Sequence, residues 1–94
     1  MKGLLIRIED YAKDAGNAEK KLIEWLQKNP ETTLGKSIKQ LAKETYTSPA
    51  TIVRLCKKLG CSGYKDFQNT LAYEVALFRA SKDIAFILLY QFFI

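Results

Sequence analysis

Thr51, Arg54 and Lys58 recur at spacings of three and four within TYTSPATIVRLCKKLG, residues 45–60, so on a helix they share one stripe. Arginine carries a planar fork of donors that matches guanine O6 and N7, or a phosphate. Threonine can donate to a base edge or touch a thymine methyl. Ala50 beside them is small enough to let a helix approach a groove floor. Thr47, Ser48 and Pro49 fall at the N-terminal end of the same helix. Their hydroxyls, with the free amides of a first turn and the helix dipole, suit a phosphate. Lys57 and Lys58 are placed for backbone phosphates, contacts that add affinity without sequence information. The candidate binding set is therefore Thr47, Ser48, Pro49, Ala50, Thr51, Arg54, Lys57 and Lys58, with double-stranded DNA as the partner.

Each of these residues also has a structural reading. Ser48 before Pro49 is a helix N-cap, and capping alone accounts for it; the two roles are compatible. Arg54 has Glu44 and Asp66 as candidate ion-pair partners. Trp25, with Phe67 and the other aromatics, reads as core rather than as a stacking platform for single strands.

Charge gives independent support. The chain carries a net +5, but residues 36–65 hold Lys36, Lys39, Lys43, Arg54, Lys57, Lys58 and Lys65 against Glu44 alone. The whole excess sits on one contiguous third of the chain. That suits a polyanion, or else a solvated lysine-rich surface. Catalysis finds no comparable constellation. There is no histidine, no glycine-rich phosphate loop and no metal-ligand cluster, and Glu9 and Asp10 are adjacent, so on a helix they diverge. Cys56 and Cys61 cannot complete a tetrahedral zinc site and make no disulfide framework; they read as buried reduced thiols. The expectation is a protein without enzymatic activity, cofactor or metal.

The elements that position the stripe follow from periodicity. Ninety-four residues make one small domain, and apolar residues recur mostly near a period of 3.6, which predicts an all-α fold. A first helix is predicted over 4–14, with Leu4 or Leu5, Ile8, and Tyr11 or Ala12 inward. Asn17 can cap a second, in which Ala18, Leu22, Trp25 and Leu26 form the buried face and Asn29-Pro30 closes it. Residues 31–36 read as a connector. Ser37 and Gln40 form a capping-box pattern that opens a third helix over 38–44, with Ile38, Leu41 and Ala42 inward. After a tight turn, a fourth helix runs from Pro49 to Leu59 and Gly60 ends it; Ile52, Leu55, Cys56 and Leu59 must face the core. A fifth runs over 64–79 with Tyr64, Phe67, Leu71, Val75 and Phe78 as its stripe. Ser81-Lys82-Asp83 interrupts it, and a short apolar helix, IAFILLYQFFI, follows. The fold expected is a bundle of about five helices containing a helix-turn-helix, as a domain over 1–80 with 81–94 as an interaction tail.

The stretch LAKETYTSPATIVRLCKKLGCSGYKDFQ resembles the N-terminal domain of RpiR/MurR-type transcriptional regulators. The resemblance lies in Leu41-Ala42, Ser48 to Thr51, Arg54-Leu55, Lys58 to Gly60, and Gly63 to Phe67, and its order of segments extends over about residues 4–78. It implies a bacterial repressor or activator, often of sugar-phosphate or amino-sugar catabolism, whose DNA contacts carry onto Ser48, Ala50, Thr51 and Arg54. Tyr46 and Thr47 depart from the Gly and Val common in such turns: if Tyr46 adopts a positive φ some strain follows, and if it does not the turn takes another geometry. The family usually continues into a sugar-isomerase-like domain that binds phosphosugar and supports oligomerisation. For that domain 94 residues leave no room, so no small-molecule effector site is expected in this chain.

The sequence thus reads as a sequence-specific DNA-binding regulator lacking its sensory half. Its N-terminal apolar run is three residues long before Arg7, too short for a signal peptide, and no segment is long enough to span a membrane, so a cytoplasmic location is expected. The apolar tail points to a homodimer. It also supports the rival reading, a small helical protein–protein interaction module without DNA binding, which the basic window opposes.

Overall fold

Six helices account for the computed structural model, which describes the backbone of residues 3–93 and the side chains of residues 3–80. They are α1 (Leu4–Ala12), α2 (Asn17–Lys28), α3 (Pro30–Leu34), α4 (Ile38–Glu44), α5 (Pro49–Lys58) and α6 (Tyr64–Phe93). The all-α class and the helix-turn-helix pair α4–α5 are as the periodicity predicts.

Three features differ from the sequence reading. Residues 30–34 are a helix, not part of a connector: Asn29 takes the N-cap position, Pro30 stands at the first helical position, and the Thr33 amide and hydroxyl both donate to the Asn29 carbonyl, at 3.1 and 2.9 Å. Gly16, not Asn17, holds the N-cap position of α2, and no side chain caps that end. Finally, α6 runs unbroken through Ser81-Lys82-Asp83. Residues 64–93 contain no Gly or Pro, and Ser, Lys and Asp each cost at most about 0.7 kcal/mol in a helix interior, so nothing there stops propagation. The side chains of the apolar tail lie outside the described residues.

The core joins Leu4 and Ile8 of α1, Leu22, Ile23 and Leu26 of α2, Leu41 and Ala42 of α4, Ile52, Leu55 and Cys56 of α5, Leu59 and Cys61 beyond it, and Phe67 and Leu71 of α6. Burying a side chain the size of Phe67 contributes roughly 1.5–3 kcal/mol. All four predicted inward residues of 49–59 are in this core. In α2, Ile23 is buried where Ala18 was expected, Ala18 is exposed, and Trp25 is half-buried. Phe78, predicted inward, is 57% exposed, although Arg79 beside it pairs with Glu31 of α3.

The start of the helix-turn-helix is held from α6. Tyr64 Oη and Gln68 Nε2 both donate to the Lys36 carbonyl, at 2.7 and 2.8 Å. This fixes the approach to α4 and satisfies a carbonyl that no helix pairs.

Candidate nucleic-acid interface

The α4–α5 pair is built by local chemistry at each boundary. Ser37 Oγ accepts from the Gln40 amide at 3.2 Å, and Gln40 Oε1 accepts from the Ser37 amide at 2.8 Å: the reciprocal capping box of the sequence pattern. At the other end of α4 the Thr47 amide reaches back to the Ala42 carbonyl (2.9 Å) and the Tyr46 amide to Lys43 (3.4 Å), while Tyr46 takes φ 55°. This is a Schellman termination with a tyrosine in its left-handed position. Helix α5 ends in the same way, with the Cys61 amide donating to the Cys56 carbonyl (2.9 Å), the Gly60 amide to the Lys57 carbonyl (3.0 Å), and Gly60 at φ 90°.

The outward face of α5 begins at its cap. Ser48 Oγ accepts from the Thr51 amide at 3.2 Å and lies 3.0 Å from the Thr51 hydroxyl. Thr51 Oγ1 in turn accepts from Arg54 Nη2 at 3.4 Å, so the guanidinium is steadied from within its own helix. Pro49, Ala50, Arg54 and Lys57 are exposed; Thr51 and Thr47 are half-buried, and the Thr47 hydroxyl lies 2.8 Å from that of buried Thr45. Neither structural partner considered for Arg54 takes it. Glu44 pairs with Lys36 at 2.7 Å, and Asp66 accepts from the Ser62 amide at 2.8 Å.

Lys58 differs from its neighbours. Its ammonium donates to the Tyr11 hydroxyl at 3.0 Å and to Glu19 Oε2 at 3.4 Å. Tyr11 itself donates to Glu19, its hydroxyl 2.9 and 3.0 Å from the two carboxylate oxygens. The hydrogen bond with Tyr11, then the charge of Glu19, push the Lys58 ammonium above its ordinary pKa despite some desolvation. The stripe is thus brought together as predicted, but its last member is engaged by α1 and α2. Nothing in residues 45–60 signals this, because Tyr11 lies 47 residues away and Glu19 lies 39. Gly16, Asn17, Ala18 and Glu19 also border Thr51, Arg54 and Lys58 across a shallow depression, a neighbourhood sequence reasoning missed.

Residues 2–77 match a helix-turn-helix domain, that of the rpiR family. An uncharacterized HTH-type transcriptional regulator of Clostridium perfringens is 40% identical over 74 residues, covering 79% of this chain and 26% of that protein. The Vibrio vulnificus NanR protein, solved in complex with ManNAc-6P, superimposes with a TM-score of 0.77 at 31% identity, over 80% of this chain and 28% of that one. The N-terminal domain of ybbH from Bacillus subtilis superimposes with a TM-score of 0.70 at 25% identity, over 77% of this chain and 88% of that domain. The chain spans about a quarter of the length of the curated relatives it matches.

Proposed function

Since the chain belongs to the rpiR family of helix-turn-helix domains, we propose that it is the DNA-reading part of a bacterial transcriptional regulator and that α5 enters the major groove. The observation that carries this reading is the division of α5 into two faces. Ile52, Leu55 and Cys56 are buried, while Ala50 and Arg54 are exposed beside a capped N-terminus. Arg54 reads base edges and Thr51 assists it; Thr47, Ser48 and Pro49 seat a phosphate at the helix start; Lys57 meets a backbone phosphate, and Lys58, shared with Tyr11 and Glu19, does so more weakly. The rival reading as a protein-interaction module gains nothing from the relatives, which are transcriptional regulators.

The regulator works in the cytoplasm and is not an enzyme; among the described residues no helix is long and apolar enough to cross a membrane. Its reading unit spans 1–80, with 81–94 as an interaction tail that makes it a homodimer. Two copies match a palindromic site. Support comes from the exposed Ile6, Tyr73, Leu77 and Phe78. The complex of NanR with ManNAc-6P supports a place in sugar metabolism. We propose that the described residues hold no effector site, so sugar phosphates are expected to leave the melting temperature unchanged.

The test is selection of a duplex from a random library, followed by binding of Arg54→Ala to the selected duplex and to random DNA. The substitution is expected to cost about 1–3 kcal/mol on the selected duplex and much less on random DNA. Equal losses on both overturn the base-reading role, and failure to select any duplex overturns the function.

A further inference from the structure

Helix α1 is fastened twice near its start, once to α6 and once to α5, each time by a charged side chain on a helix terminus. At its start, Glu74 of α6 accepts from the Leu4 amide and, at 3.0 Å, from the Leu5 amide. A carboxylate there satisfies two otherwise unpaired donors and complements the positive end of the helix dipole. One turn on, Arg7 Nη1 donates to the carbonyl of Leu59, the C-cap residue of α5, where a cation complements the negative end. Arg7 Nε is shut from solvent without a partner, so the guanidinium gives up one hydrogen bond to make this one. Tyr11, a further turn on, holds Lys58 of the same α5 turn.

Two glycines accommodate these fastenings. A Cβ on Gly3 would lie 3.1 Å from Glu74 Oε1, and one on Gly60 would lie 2.6 Å from Arg7 Nη1. Both charged groups thus occupy space that a side chain would take.

We infer that α1 is a strut through which α6 sets the pose of the DNA-reading helix, with Glu74 and Arg7 as its positioning residues. Neither residue is in the proposed DNA face. The consequence for binding rests on the DNA-reading function proposed above; the mechanical coupling does not. A shift of α6 is carried by Glu74 to α1, and by Arg7 and Tyr11 to the last turn of α5. Arg54 and Lys57, which ride on α5, move with it.

The test uses the full chain and the variants Glu74→Gln, Arg7→Met and Arg7→Lys. Amide hydrogen exchange is read at Leu59, Gly60 and Cys61, whose amides close the end of α5. Glu74→Gln and Arg7→Met are each expected to speed those amides about tenfold while α4 keeps its protection, and the double variant is expected to be no faster than Arg7→Met alone. Arg7→Lys keeps a cation for the Leu59 carbonyl and restores slow exchange. On the duplex selected by the wild type, Glu74→Gln and Arg7→Met are expected to weaken binding about tenfold, with random DNA within about twofold. Exchange that quickens only at Leu4 and Leu5 in Glu74→Gln, or equally throughout α4 and α5, overturns the strut. Unchanged binding to the selected duplex overturns its role in recognition while leaving the DNA-reading function standing. A wild type that selects no duplex sinks that function, and the exchange coupling is decided without DNA.

Discussion

Tyr46 and Gly60 occupy the same left-handed position in two Schellman terminations, one closing α4 and the other closing α5, with φ values of 55° and 90°. Glycine takes that conformation freely; an L-residue loses roughly 1–2 kcal/mol in it. Tyr46 is 85% exposed, and its ring contact is Lys21 at 6.0 Å, so little packing offsets the strain. Tyr46→Gly is expected to stabilise the domain by up to about 1 kcal/mol, a rise of several degrees in Tm, after the gain in unfolded-chain entropy is discounted. Gly60→Ala is expected to destabilise by about 1–3 kcal/mol, since its Cβ meets both the strained φ and Arg7. Thermal denaturation of the two variants measures both, and a Tyr46→Gly protein that melts below the wild type contradicts the assignment of strain.

The two lysines at the end of α5 are expected to separate in salt titrations. Lys57→Ala should weaken specific and random DNA alike and flatten the slope of log K against log salt by about one unit. Lys58→Ala should flatten it by less, because that ammonium is held by Tyr11 and Glu19. Equal slopes for the two variants would mean that Lys58 leaves Glu19 for a phosphate in the complex.

Cys56 sets a pH dependence on the alkaline side. Burial, and then the neighbouring Cys61, push its thiol from an ordinary 9.0 up to about 12; burial also raises Cys61. The folded state therefore keeps protons that the unfolded chain releases, so this contribution to stability is complete below about pH 9 and is lost as pH rises from 9 to 12. Urea midpoints are expected to fall between about pH 8 and about pH 10.5, with a smaller fall in Cys56→Ala. A native protein whose Cys56 reacts rapidly with thiol reagents at about pH 8 would contradict its burial.

The association proposed for the tail is open to light scattering. Residues 84–94 are apolar except for Gln91, and a helix apolar on all sides demands burial. The intact chain is expected to be a dimer, and a version ending at Lys82 a monomer. A monodisperse intact monomer refutes the dimer, and a dimer that survives removal of the tail moves the interface to the first part of α6 or to α1.

What the sequence by itself determined was the recognition unit. Ser37 with Gln40, Ser48 before Pro49, and Gly60 each act on backbone groups within four residues, so their effect does not wait for the rest of the chain. The spacing of Ile52, Leu55, Cys56 and Leu59 then decided which side of α5 is left exposed. Tertiary structure decided the rest. Ile23 displaced Ala18 from the core because the neighbours of α2, and not its own periodicity alone, choose the buried arc. The turn-like residues Ser81 to Asp83 stayed helical because their local cost is small beside the propagation of a helix already begun. The partners of Lys58, Leu5 and Leu59, namely Glu19, Glu74 and Arg7, are separated from them by 39, 69 and 52 residues. Such pairs exist only once the helices have packed. Side-chain reach is a few ångströms, and no local pattern specifies which distant terminus will arrive within it.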